Sequence, residues 1–295
     1  MAHPQHTPSL SDLEEVVTVL FCLIDDAYRL LNPHVRRYES LKKLSDSEVI
    51  SLALLQQLRG VESERSFLRD AQRFFSHLFP GVVGLHPSSL HRRVRKLRCF
   101  LEPLRREVVR QLVGDPETLV VDSTLLSVLH PRQVAQSAGF EGAAWVRWGS
   151  FSVYGVKLHL LCATNRVPIS YELTPANVAD ISLTKELLAE AALEERTARR
   201  LFGDLAYRSA AALEGALAES GILLVTERSR QHGKRQQVEI ALASLKREFH
   251  LEETLATTLV GLVTRIAAKV TAYTYGFFVN RLLDRPQGRI KELWA

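Results

Sequence analysis

Two kinds of hydrophobic spacing run along this chain, and the change from one to the other falls near residue 114. Before it, apolar residues recur at intervals of three and four. Leu13, Val16, Val17, Leu20 and Ile24 mark one face of a first helix. Ser45 and Glu48 then form the sequence of a capping box ahead of an apolar run from Val49, with Gly60 as its stop. A further helix is predicted from Ser63 to Phe79, closed by Pro80 and Gly81. The next follows His86 with Leu90, Val94, Leu97 and Leu101 on one face. Gly114 and Pro116 end the helical pattern. Residues 1–10, polar and rich in Pro and His, read as a frayed arm.

After Glu117 the spacing is mixed. Strands are predicted at 118–122, 150–162, 167–173, 200–203 and 222–226, and helices at 181–193, 207–219, 234–249 and 257–283. Three early strands followed by alternating elements suggest an antiparallel meander continued by helices and parallel strands. The expected fold is therefore an α/β domain, a mixed sheet flanked by helices, preceded by an all-α region. Residues 124–149 form a long connection holding Trp145 and Trp148; a connection of that size commonly carries function or is mobile. The tryptophans suit either stacking on an unpaired base or anchoring a strand entry.

Composition narrows the partners. The 295 residues are 46% apolar, enough for one large or two modest domains. A net charge of +5 and a pI near 9.2 favour a polyanion, and the charge is uneven. Residues 91–98 and 228–247 are strongly basic, whereas 12–26 are acidic. Cys22, Cys99 and Cys162 are far apart with no CxxC pair, which argues against a zinc site and a disulfide framework. They are expected to be reduced, mostly buried thiols of a cytoplasmic protein. No secretory signal pattern opens the chain. Residues 258–279 are apolar but contain Arg265 and Lys269, so a core helix is expected there and not a membrane span.

Three acids carry the candidate chemistry. Asp122 and Asp204 each close a short apolar run, and Glu239 lies within a basic amphipathic helix. A carboxylate at the lip of a sheet is costly unless a cation or hydrogen bonds face it. Two-metal phosphodiester chemistry needs divalent ions about 3.5–4 Å apart. Mg²⁺ takes only one or two carboxylates per site, so three acids from separate elements suffice. Each acid also has a plain structural reading: Asp122 in a strand-end turn, Asp204 before a helix start, Glu239 in an i,i+4 pair with Arg235. Arg235, Glu239, Leu242 and Lys246 fall at spacings of four, three and four, hence on one helix face. Arg and Lys flanking one acid suit a phosphate-gripping surface. Lys157 and His159 lie two apart on a strand, where one faces the acids or both have local sheet partners. Asn177 and Asp180 are expected to make a turn and cap the helix at Ile181. The pairs Asp25–Asp26 and Glu252–Glu253 read as surface.

The spacing of Arg235, Glu239 and Lys246 resembles the Arg-Glu-Lys part of the signature of bacterial insertion-sequence transposases of the Asp-Asp-Glu (DDE) type. The Val-Val-Asp122-Ser-Thr run, the strand from Tyr154 through Lys157 to His159, the turn ending at Asp180 and the strand end at Asp204 with Tyr207 are similar to that family, in its order. The resemblance spans roughly residues 118–283 and extends to the helical N-terminal region. It implies a ribonuclease-H-like catalytic domain at 115–295, an all-α DNA-binding domain at 11–114 and a flexible arm at 1–10. It implies Asp122, Asp204 and Glu239 as metal ligands, with Mg²⁺ or Mn²⁺, two ions, as cofactor. The implied partner is double-stranded DNA, the transposon ends and the target, bound by a homodimer in a nucleoid-associated cytoplasmic protein. One departure stands out: the family's Tyr, three residues before the Arg, is His232 here. The short gap from Asp204 to Glu239 leaves no room for the large inserted subdomain of some members.

The DNA-contact candidates are Arg92, Arg93, Arg95 and Lys96 on the basic helix, together with His232, Arg235 and Lys246. The basic helix could enter a major groove, framed by the helices of 45–79. The alternative is a solvated charged face over an apolar stripe. For the whole protein the alternatives are a metal-dependent nuclease or resolvase on the same fold, and a catalytically inactive DNA-binding descendant of a transposase.

Overall fold

The computed structural model of the protein describes residues 10–33, 42–114, 116–134, 139–183, 186–187, 199–204, 207, 221–226 and 233–293. Most of the arm at 1–10, the helix expected at 207–219 beyond Tyr207, most of the one at 181–193, and His232 lie outside the described residues.

Two compact units are present. The first comprises residues 1–108, 247–255 and 260–295; the second comprises 109–246 and 256–259. The first is helical. It contains α1 (Leu10–Leu31), α2 (Asp46–Leu58), α3 (Glu64–Phe74), most of α4 (Pro87–Val113), α7 (Leu259–Leu282, named here ahead of its order) and a closing 3-10 turn at Ile290–Leu293. Helix α1 buries Val16, Val17, Leu20 and Ile24, the stripe its spacing marks. The capping box at α2 is formed as expected: the Glu48 amide donates to Ser45 Oγ at 3.1 Å, and the Ser45 amide donates to the Glu48 carboxylate at 2.5 Å. Gly60, at φ +62°, stands just past the α2 end in the left-handed conformation that terminates many helices.

Helix α3 stops five residues short of the expected Phe79. Phe75 leaves helical geometry and turns inward, and it and Phe79 are both buried. Burying two aromatics from one turn outweighs another turn of backbone hydrogen bonds. Helix α4 runs through Pro103 in its interior. The carbonyls of Leu101 and Leu104 beside that proline accept from Thr271 Oγ1 and the Tyr275 hydroxyl, each at 3.4 Å. Helix α7 is buried on nearly every side, as a core helix should be. The Lys269 ammonium within it donates to the Phe249 carbonyl, and burial pushes its pKa down to about 8. Among the described residues no helix is long and apolar enough to cross a membrane. Cys162 is buried, but Cys22 and Cys99 are exposed, against the expectation of mostly buried thiols. Both sit on amphipathic helices, at positions the apolar stripes do not include.

The second unit is built on six strands: β1 (Thr118–Ser127), β2 (Ala144–Trp148), β3 (Phe151–Ala163), β4 (Pro168–Pro175), β5 (Arg200–Gly203) and β6 (Leu223–Thr226). The order is β2-β3-β1-β5-β6, with β4 on β3 beside β2's edge. Pairing is antiparallel among β1 to β4 and parallel for β1–β5 and β5–β6. A short helix α5 (Pro131–Val134) precedes β2, and α6 (Gln236–Glu248) follows β6. A mixed sheet with an antiparallel meander leading into parallel strands, flanked by helices and preceded by an all-helical region, is the ribonuclease-H-like architecture.

Two expectations need correction. Strand β1 does not end at Asp122 but continues to Ser127, paired with residues 155–159 of β3. The stretch 124–149 is likewise not one long connection. It begins inside β1 and ends in β2, where Trp145 opposes Tyr154 with ring centroids 5.3 Å apart. Trp145 is nonetheless 46% exposed. The polar Ser123, Thr124 and Ser127 hid the second half of β1, because pairing with β3 holds those residues in the strand without an apolar run.

Candidate active site

Strand β1 carries the site. Side chains alternate across a sheet, so Val120, Asp122 and Thr124 share one face and Val121, Ser123 and Leu125 the other. Val120 pairs with Phe202 of β5, and Asp204 lies two residues beyond Phe202, just past the strand end. The Asp122 carboxylate is half-buried, and its Oδ1 accepts from the Ser123 amide at 2.8 Å. Burial pushes its pKa up to about 6. The Ser123 amide and the Arg235 guanidinium oppose this rise, while the charges of Asp204 and Glu239 add to it. Asp204 and Glu239, from two further elements, are therefore each within electrostatic reach of Asp122.

Glu239 stands in the first turn of α6, with Oε1 2.8 Å from Arg235 Nη2. Its side chain is 46% exposed, against 18% for Arg235. The Arg235 Nε is buried with no hydrogen-bond partner among the described residues. Lys234 lies 5.5 Å above the Phe202 ring, which holds the entry to α6 at β5. Val238, Ala241, Leu242 and Leu245 are buried and Lys246 is half-buried. Leu242, on the same face as Glu239 by spacing, is thus covered. The donor set suits a hard divalent cation: three carboxylates and no thiol or imidazole. The crowding of negative charge that raises Asp122 is what such a cation would relieve.

The opposite face carries a second polar cluster. Asp122 stands opposite Leu160, so Lys157 and His159 both lie on the Ser123 face, and neither shares the face of Asp122. The Lys157 ammonium donates to Asp180 Oδ1 at 2.7 Å and to the Val178 carbonyl at 2.8 Å. Asp180 is expected from the sequence to cap a helix; its carboxylate is engaged by Lys157 instead, because a buried ammonium demands an anion more strongly than a short 3-10 turn demands a cap. His159 is fully buried. Its Nε2 lies 2.9 Å from Thr174 Oγ1, while Nδ1 has no hydrogen-bond partner among the described residues and lies 4.0 Å from Asp180. The Tyr207 ring packs on Gly203, where a Cβ would come within 3.0 Å of it. Its buried hydroxyl has no hydrogen-bond partner among the described residues. Burial, then the charges of Asp180, Asp122 and Asp204, push that phenol well above its ordinary range.

Burial drives the His159 pKa down to about 4, with Asp180 opposing and Lys157 assisting. The folded pKa lies below the unfolded value, so between pH 6.5 and 4 the unfolded chain takes up a proton that the folded chain refuses. Stability is complete above that window and falls by on the order of 2–3 kcal/mol across it. Melting temperatures of the wild type and His159→Gln, followed from pH 7 to 4.5, should diverge in slope, with the variant losing less. Parallel slopes would remove His159 from the account of acid sensitivity.

On α4, Arg92 and Lys96 are exposed and Arg95 is half-buried. Arg93 spends its guanidinium inside the unit, donating to the Leu44 carbonyl at 2.7 Å and to Asp46 Oδ1 at 2.6 Å. A further cluster was not foreseen. Glu62, His250 and Glu253 bring ligand atoms within 4.8 Å of one another in the helical unit, with His250 Nδ1 3.3 Å from each carboxylate. Glu253 is exposed, as its surface reading expects, and its contact with Glu62 and His250 joins residues almost 200 apart, beyond any local pattern.

The family described as Transposase DDE domain matches residues 113–275, over half of the chain. No curated protein and no solved structure matches it.

Proposed function

The chain belongs to the Transposase DDE domain family, and from that premise we propose that it binds the ends of its own insertion sequence, hydrolyses a strand there and transfers the 3′ end to target DNA. The observation that supports this best is that Asp204, Glu239 and Arg235 all act electrostatically on Asp122. In this reading Asp122, Asp204 and Glu239 would hold the metal ions. A pair of Mg²⁺ or Mn²⁺ ions held there would supply Lewis acidity to the attacking and departing oxygens.

The chain's own residues do the rest. The Arg235 guanidinium, paired with Glu239 at the start of α6, would bring positive charge to a phosphate, and Lys246 would add a point charge. His232 takes the place of the family Tyr beside the reacting phosphate. Water in the first step and a 3′ hydroxyl in the second are both oxygen nucleophiles in line with phosphorus, so one site serves both and no protein–DNA ester forms. The helical unit holds the duplex through Arg92, Arg95 and Lys96, and two copies pair the transposon ends.

The test is a joining assay with the protein, Mn²⁺, a pre-cleaved transposon end and a supercoiled plasmid. Covalent end–plasmid product is expected. Nicking without joining would reduce the protein to a nuclease, and neither product would leave only a DNA-binding descendant.

A further inference from the structure

In the helical unit the segment before α2 and the exposed side of α4 enclose an open cleft of about 520 Å³. Lys42, Lys43 and Asp46 line one side and Arg93 and Lys96 the other. Asp46 is the organising group. It accepts from Lys42 at 2.8 Å, from Arg93 at 2.6 Å and from the Tyr28 hydroxyl at 3.1 Å. Burial works to raise its pKa, yet the hydrogen bonds from Lys42 and Arg93 outweigh that and hold it below the ordinary carboxylate range. The single acid of the cleft is thus already spent on two of the four cations. Lys43 and Lys96 are exposed and have no ion-pair partner among the described residues.

We propose that this cleft seats the sugar-phosphate backbone of duplex DNA, with Lys43 and Lys96 as the two phosphate contacts. Arg93 and Lys42 are positioning residues that act through Asp46. The inference rests on the DNA-binding reading above and deepens it. It adds Lys43, which no helical pattern marks, and takes Arg93 out of direct contact with DNA. Charge complementarity selects the occupant: two ammonium groups without an ion-pair partner among the described residues flank a cleft whose only carboxylate is already neutralised. An acidic partner gains their charge without meeting an unpaired anion. Ammonium point charges grip phosphates without reading bases, so the contact is indifferent to sequence.

Binding of a short labelled duplex of random sequence, measured by anisotropy across a salt series, tests this without calling on cleavage. In Lys43→Ala/Lys96→Ala the slope of log affinity against log salt should fall by about two, close to one per lost phosphate contact. Lys43→Arg/Lys96→Arg should restore it, and Lys291→Ala, an exposed lysine elsewhere in the same unit, should leave it unchanged. Melting curves check that the variants are folded. A folded double alanine variant with the wild-type slope overturns the cleft assignment while leaving the transposase reading in place. A wild type that binds no duplex at any salt overturns both. Displacement of the labelled duplex by RNA at lower concentration than by unlabelled DNA overturns the choice of DNA as occupant.

Discussion

Asp122→Asn, Asp204→Asn and Glu239→Gln should each abolish cleavage of transposon-end DNA while leaving duplex affinity within a fewfold of wild type. Loss of a ligand's hydrogen-bonding partner alone typically costs ~10–100-fold. Removing a ligand from a pair of ions should cost on the order of a thousandfold or more, because both the attacking and the departing oxygen lose stabilisation. The variants separate this role from a structural one. The Asp122 charge is held in a half-buried, negatively crowded position, where its pKa rises to about 6. Neutralising it should therefore leave the melting temperature equal to or above that of wild type. A strand-end carboxylate needed for folding would do the opposite. Nicking at the wild-type rate by any of the three variants would strike that residue from the site, and a lowered melting temperature in Asp122→Asn would recast it as a scaffold residue.

The second large effect lies in the sheet. Gly155 sits where β3 meets β1, β2 and the turn after β4, opposite both Ser127 and Ala144. A Cβ there would stand 2.0 Å from the Leu126 carbonyl oxygen. That oxygen belongs to backbone and cannot swing aside as a side-chain tip would. Gly155→Ala must therefore part β1 from β3 or bend β3, costing about 3 kcal/mol, the upper part of the overpacking range. For a chain of this size that lowers the melting temperature by about 5 °C. Because β1 carries Asp122, cleavage should fall as well. Thermal melting of the purified variant settles the matter; a melt superimposable on wild type would mean that the close approach at Gly155 does not restrain the sheet.

What the sequence disclosed and what it withheld divide along the range of the forces involved. The α1 stripe, the Ser45 capping box and the α6 face were legible because each is written within a turn or two of chain. Asp122, Asp204 and Glu239 were singled out by residue types and order that resemble a known signature, and the charges of Asp204 and Glu239 act on Asp122. The second half of β1 was hidden because Ser123 to Ser127 carry few apolar residues; their strand geometry comes from pairing with β3, more than 25 residues later. Strand β2, Ala144–Trp148, is mostly apolar but only five residues long, and pairing with β3 defines it. The early stop of α3 depends on where Phe75 and Phe79 find their core, and no local breaker marks Phe74. The ion pair of Lys157 with Asp180 joins residues 23 apart, and Asp180 had a plausible local use as a cap.

The two walls of the acidic site differ in how firmly their backbones are tied. Asp122 sits inside a ten-residue strand, with β3 along one edge and β5 beginning along the other. Its main chain has almost no latitude. Glu239 grows from the opening turn of a helix, where the Gln237 and Val238 amides are held by lone bonds to the Lys234 and Arg235 carbonyls just before it. Any tightening of this centre around a substrate should come from the helix side closing upon a stationary strand. Slow exchange of the Asp122 amide beside fast exchange at 236–239 would be its signature in hydrogen–deuterium measurements.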